Sequence, residues 1–253
     1  MGLRITPLRA GTLMGLPQPA VTYNFGWGKT HDAALIMFLI EGGKAPILVD
    51  TGSGTPEHAA RWHNYRLERT ATEEPRIVLR DAGVDPSTIA TVIFTHLHWD
   101  HSSNLELFPN ARFFMQQTEL TYALHPLDLH RAAYERLDGI RAPWMDVVDR
   151  LIPLDGEAEI AEDISVVPLP GHTPGSQGVC VRTEGGRYIL AGDCVDTYEN
   201  WHGNGTCRHI PSGLHTDLFQ YYRSFGTLER LEAQGFEIVP SHEDAVVDRG
   251  PML

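Results

Sequence analysis

The stretch Thr91–Ser103, TVIFTHLHWDHSS, decides how this chain is read. Thr91 to Thr95 is a β-branched and aromatic run, the composition of a strand. It ends at a segment that places His96, His98, Asp100 and His101 within six positions. In an extended backbone His96 and His98, separated by Leu97, point the same way. Asp100 and His101 follow where the chain must turn, so they can face a second point nearby. Four potential ligands at the end of an apolar strand are costly to hold there unless something binds them. The bland alternative is a satisfied polar cluster or a histidine-rich turn, and the rest of the chain decides between the two.

Working outward, the same pattern recurs. DAALIMFLIEGGKAPILVDTGSG (32–54) reads as two apolar strands joined by a Gly-Gly turn and ending at Asp50-Thr51-Gly52. ARFFMQQ (111–117) reads as a strand, followed by helical sequence to about Leu137 that Pro126 breaks in two. ISVVPLPGHTPG (164–175) is a strand running into a turn at Gly171-His172. QGVCVRTEGGRYILAGDC (177–194) is a hairpin around Gly185-Gly186 with Asp193 past its second strand. TDLFQYYRSFGTLERLEAQG (216–235) has helical spacing, with Leu218, Tyr221, Tyr222, Phe225 and Leu228 expected on one apolar face and Gly235 as the stop. FEIVPSHE (236–243) closes with a strand and His242 just beyond it. Hairpins interspersed with helices indicate an α/β arrangement in which helices cover the outer faces of two stacked sheets. His96, His172, Asp193 and His242 each follow an expected strand, so one edge of the sheets can collect them.

A lone His172 or His242 would be read as an ordinary polar residue. Together with His96, His98, Asp100, His101 and Asp193 they make seven potential ligands, more than one zinc needs. Seven fit two ions if one carboxylate bridges them. With thirteen histidines and only three cysteines, Cys180, Cys194 and Cys207, any metal is held by imidazole and carboxylate. The odd cysteine count without a CxxC pair fits reduced thiols and a cytoplasmic location.

Composition sets the remaining bounds. The chain has 253 residues without an evident repeat or linker, so one domain over 1–253 is expected. A formal charge of −13 argues against nucleic acid or an anionic membrane as partner. No apolar run reaches the roughly 18 residues of a membrane span, and MGLRITPLRAG lacks the apolar core of a secretory signal. Gly2 with Thr6 fits a loose myristoylation pattern, and Asn204-Gly205-Thr206 a glycosylation acceptor; neither has supporting context. The expected partner is a small-molecule substrate, and the chain is expected to be a monomer or homodimer.

LVDTG (48–52), THLHWDH (95–101), GHTPGS (171–176), Gly192-Asp193 and Ser241-His242 together resemble the metallo-β-lactamase superfamily of metal-dependent hydrolases, in that family's order. The resemblance implies a four-layer αββα sandwich of two mixed β-sheets flanked by helices. It implies that His96, His98 and His172 hold a first metal, that Asp100, His101 and His242 hold a second, and that Asp193 bridges. The metals implied are two divalent ions, zinc first, with manganese, iron or cobalt as alternatives. Asp50 is expected to orient a ligand or turn without touching metal. The implied reaction is attack by a metal-bridging hydroxide, with Asp100 shuttling a proton.

Within the superfamily the layout is similar to the N-acyl homoserine lactonases, which implies opening of a lactone ring. Those lactonases usually carry a tyrosine three residues after the bridging aspartate. Here Asp196 stands there, and Tyr198 is the candidate catalytic assistant. Trp99, Trp201, Phe25 and Trp27 are candidate pocket walls, and Leu120–Trp144, with His125 and His130, a candidate lid or dimer surface. The rivals are a glyoxalase II-like thioesterase, disfavoured by the absence of a basic helical region after His242, and a phosphodiesterase, disfavoured by the acidic charge. A β-lactamase shares the chemistry. A metal-loaded binding scaffold is the non-enzyme alternative, while His98 stands where di-iron oxidoreductases of the superfamily usually have Glu.

Overall fold

Residues 33–40 form an unbroken apolar run because the strand that carries them is covered on both faces. The computed structural model, which describes residues 2–253, places that run in β2 (Thr30–Glu41). It pairs antiparallel with β1 (Arg4–Pro17) and β3 (Ile47–Val49). With β4 (Arg66–Glu68), β5 (Thr91–Ile93), β6 (Arg112–Gln116) and β7 (Leu151–Leu154), these strands form a seven-stranded sheet ordered β4-β1-β2-β3-β5-β6-β7. The second sheet has five strands: β8 (Ala158–Ala161), β9 (Ile164–Pro168), β10 (Gln177–Arg182), β11 (Arg187–Leu190) and β12 (Phe236–Val239), ordered β12-β11-β10-β9-β8.

The layers follow from side-chain alternation. Ala34, Ile36, Phe38 and Ile40 of β2 pack between the sheets against Ile164, Val166, Val179, Val181, Leu190 and Val239. Met37 and Leu39 face the other way, into a core shared with Leu79 of helix Pro75–Asp81 and Ala123 of helix Gln117–Leu124. The outer face of the second sheet is closed by helix Leu218–Ala233, whose Tyr221, Phe225 and Leu228 meet Val167, Leu169 and Ile189. The result is the αββα sandwich, two mixed sheets between helical layers.

Three details depart from the sequence reading. The N-terminal segment forms β1, which no clear alternation announced, because its register against β2 shifts between Arg9 and Thr12 and again between Leu13 and Leu16. Such bulges interrupt the period-two pattern on which a strand is recognised. The helix after β6 ends at Leu124, and between Pro126 and Leu137 only the short turn Asp128–His130 is wound, so the second helical piece is absent. Tyr222, expected on the apolar face, is half exposed, because the face that meets the sheet runs through Tyr221, Ser224, Phe225 and Leu228.

Strand direction brings the ligand-bearing segments together. β3 and β5 run parallel, so Asp50 and His96 leave the first sheet at the same edge. β11 and β12 are parallel, and β9 shares their direction through two antiparallel steps across β10. His172, Asp193 and His242 therefore all follow the same end of the second sheet.

Candidate metal centre

The segment after β5 is held in place before it reaches the cluster. Asp50, at a left-handed φ of 57°, accepts the Thr95 N–H at 2.8 Å and lies 2.8 Å from His101 Nδ1 through its other oxygen. His172 Nδ1 donates to the Leu214 carbonyl at 2.7 Å and His242 Nδ1 to that of Ala34 at 2.8 Å, while His96 Nδ1 lies 3.1 Å from the Thr95 hydroxyl. Occupying Nδ1 turns the Nε2 of each ring inward, the tautomer and orientation that a metal-binding imidazole requires. His98 is the exception, turning Nδ1 inward to lie 3.0 Å from His172 Nε2.

The inward atoms form two sets. His96, His98, His172 and Asp193 bring ligand atoms within 4.8 Å of one another, and Asp100, His101 and His242 do the same. Asp193 lies between the sets. Its Oδ1 is 3.2 Å from both His101 Nε2 and His242 Nε2, and its Oδ2 is 3.4 Å from His172 Nε2 and 3.7 Å from His96 Nε2. Ser241 steadies it, donating to Oδ1 at 2.8 Å. His96 Nε2 and His101 Nε2 are buried without a hydrogen-bond partner among the described residues. Buried nitrogens turned toward one another, with only the carboxylates of Asp193 and Asp100 among them, suit cations at both points. The donor set of imidazole and carboxylate fits two divalent ions.

Burial and charge divide the histidines. Desolvation holds His96, His98 and His172 below the ordinary imidazole value, the first two well below. Burial acts the same way on His101 and His242, but Asp193 outweighs it. His101 is held well above 6.5, helped by Asp100 and Asp50, and His242 rises to about 9. Burial pushes the Asp193 carboxyl up, yet the surrounding imidazoles, His101 foremost, hold it well below its ordinary range.

Glu119 escaped the sequence reading. It is buried in helix Gln117–Leu124, and its carboxylate accepts from Leu97 N at 2.9 Å, Tyr134 OH at 2.8 Å, Thr173 Oγ1 at 2.6 Å and Gly175 N at 3.2 Å. One side chain thus fastens the loop carrying His96 and His98 to the loop carrying His172. The approach is tight: a Cβ on Gly175 would lie 2.1 Å from the Glu119 backbone nitrogen. Gly171, at φ 142°, similarly lets helix Leu218–Ala233 reach the loop, since a Cβ there would lie 2.4 Å from Tyr221 Cα. A lone glutamate on a short helix carries no pattern that distinguishes it from a surface residue.

The cluster floors a cavity of about 320 Å³. Asp100, Asp193, Asp196 and His242 give it a polar base, while Leu13, Leu16, Ala33, Trp99, Leu129 and Ala133 contribute apolar wall. Of the expected aromatics, Trp99 lines it. Trp201 is buried beneath helix Leu218–Ala233, Phe25 is half-buried outside the cavity wall, and Trp27 is exposed. Trp62 and Tyr65, which the sequence did not single out, do line it. From the candidate lid, Leu129, Ala132 and Ala133 reach the cavity, whereas Trp144 is core and His130 pairs with the Tyr122 hydroxyl at 2.6 Å.

Tyr198 does not line the cavity. Thr197 and Asn200 form a capping box that starts helix Tyr198–His202, and Tyr198 turns from the cavity to pack against the inter-sheet core near Glu237 and Arg249. Asp196 stays at the cavity, its carboxyl pushed well above the ordinary range by burial and then by Asp193.

Residues 37–242 match the metallo-beta-lactamase superfamily. The chain belongs to that family. It is 30% identical over 185 residues, 69% of each chain, to the N-acyl homoserine lactonase AiiA of Bacillus thuringiensis subsp. kurstaki. It is 26% identical over 255 residues to the N-acyl homoserine lactonase AttM of Azorhizobium caulinodans, covering 95% of this chain and 93% of that one. Among solved structures, an N-acyl homoserine lactone hydrolase with the product N-hexanoyl-L-homoserine bound at its catalytic metal centre superposes with a TM-score of 0.78 at 21% identity, over 98% of this chain and 95% of that one. AidC, a dizinc quorum-quenching lactonase, gives 0.73 at 21% identity, over 96% and 88%. No helix among the described residues is long and apolar enough to cross a membrane.

Proposed function

We propose that this chain is a metal-dependent hydrolase that opens lactone rings, with N-acyl homoserine lactones as the first substrate class to examine. The observation that carries the proposal is Asp193, whose two oxygens divide between two sets of inward-facing imidazoles at the base of a partly apolar cavity. Relatedness to lactonases over 69% of the chain supports the same class.

In this proposal His96, His98 and His172 would hold one ion and Asp100, His101 and His242 the other, with Asp193 shared between the two sets. Two bound divalent ions, zinc foremost, supply a Lewis acid for the ester carbonyl and acidify a water to the neutral range. The chain's own residues do the rest. Asp50, Thr95, Leu214 and Ala34 fix the imidazole orientations through the hydrogen bonds described above. Asp100, a cavity residue, takes the proton from the attacking water and returns it to the ring oxygen as the C–O bond breaks. Leu13, Leu16, Leu129 and Ala133 offer surface to an acyl chain.

A panel of homoserine lactones, alkyl and aryl lactones, a thioester, a cephalosporin and a phosphodiester tests this reading. Lactones should turn over fastest, chelation should abolish the activity and zinc should restore it. A thioester or phosphodiester leading the panel overturns the substrate class, and chelator-resistant turnover overturns the mechanism.

A further inference from the structure

Outside the seven-residue cluster, a second group of potential ligands remains unused. His58 and His63 are five residues apart, and the wide π-helical turn over Ala59–His63 brings both to the same side. Their rings are 5.6 Å apart. Both point at Glu135, with His58 Nε2 in hydrogen-bonding contact with Glu135 Oε1 and His63 Nε2 at 3.3 Å from the same oxygen. The three ligand atoms lie within 4.8 Å of one another.

Glu135 is an unusual residue to bury. It is 1% exposed and adopts a left-handed φ of 52°, a region strained for a non-glycine residue. Its only ion-pairing partners among the described residues are these two imidazoles, and its Oε2 is buried without a hydrogen-bond partner. Two imidazoles sharing one oxygen leave the other unsatisfied, a costly arrangement in the interior. A cation beside the three groups resolves this, because both nitrogens turn their lone pairs to it and the carboxylate supplies the charge. Two histidines and one carboxylate with a remaining open position form a recognised zinc donor set. The ring of His63 stacks on Trp99 at 4.0 Å and 10°, which holds one ligand in place, while the His58 side chain, 29% exposed, leaves a path from solvent.

We propose that His58, His63 and Glu135 form a metal site of their own, which takes a divalent transition-metal ion such as zinc and fastens two walls of the cavity together. One wall is the segment that continues from His63 into Asn64 and Tyr65, and the other holds Leu129, Ala132 and Ala133 just before Glu135. An ion there ties these walls through a point that shares no ligand with the main cluster. The site therefore sets the shape of the cavity mouth without taking part in bond breaking.

Equilibrium dialysis against buffered micromolar zinc, followed by elemental analysis, tests the proposal. Wild type should hold about three ions per chain, His58→Ala and Glu135→Ala about two, and Asp193→Ala about one. His58→Gln keeps an amide to bond Glu135 but removes the imidazole. It should lose the same ion while the metal-free protein melts as wild type does, which covers the case in which an alanine variant fails to fold. Equal zinc content in wild type, His58→Gln and Glu135→Ala overturns the proposal and leaves a hydrogen-bonded His–Glu–His cluster. A wild type with a single ion that His58→Gln loses sustains this site and removes the dinuclear reading instead, so the two failures are distinguishable.

Discussion

Glu119 Oε2 accepts the hydroxyl of Thr173 at 2.6 Å, and through this bond a helix of the outer layer holds the loop that delivers His172. The opposite oxygen holds Leu97, between His96 and His98. The distance between the two histidine-bearing loops is thus set by a group that touches neither cluster directly.

Glu119→Ala should lower unfolding stability by about 3 kcal/mol or more, since it orphans buried donors that cost about 1–3 kcal/mol each. Urea denaturation of the metal-free protein measures this. Glu119→Gln retains one acceptor and should fall between the alanine variant and wild type. An unchanged midpoint in Glu119→Ala would show that the loops hold their spacing without it.

Asp50→Asn should weaken binding of one ion by about 10–100-fold, the usual effect of removing a carboxylate that orients a ligand imidazole. Competition with a chromophoric chelator should show two classes of site in the variant, with the weaker one corresponding to the His101 set.

Zinc loading should release protons. Asp193 holds His242 protonated through neutral pH and raises His101 as well, and a ligand imidazole must be neutral, so about one proton or more should leave per chain at pH 7. Calorimetry in buffers of different ionisation enthalpy counts them, and apparent affinity should rise with pH until about 9. In the metal-free protein the raised His242 value stabilises the fold fully below 6.5 and is lost as pH rises through about 9.

Tyr198→Phe should leave kcat/KM for the best lactone within about twofold, because the ring packs against the inter-sheet core away from the cavity. A loss of more than tenfold would show that this helix swings inward when substrate binds.

What was legible in the sequence is what local pattern controls. His96, His98, Asp100 and His101 announced themselves by density at a strand end, and His172, Asp193 and His242 by their positions after strands that share a direction. Two stacked sheets under helices followed from hairpins interspersed with helical stretches, and the αββα form from the resemblance to the family. The misses have a common cause in tertiary context. β1 is bulged and so lost its alternation. Glu119 acts through partners as distant as Thr173 and Gly175. Tyr198 is five positions from Asp193, but a capping box between them turns it into another layer. The pairing of His58 and His63 with Glu135 depends on a wide turn and a left-handed residue, neither of which leaves a motif.

The bond from His242 to the Ala34 carbonyl joins residues 208 positions apart, one from each sheet. The residues proposed as ligands divide in the same way, His96 to His101 from the first sheet and His172, Asp193 and His242 from the second. Neither sheet alone contains a complete proposed set for either ion, which would make the centre a clasp on the seam. A chain that has built one sheet has nowhere to seat its metal, and stripping metal from the finished protein should loosen the seam before it frays either sheet.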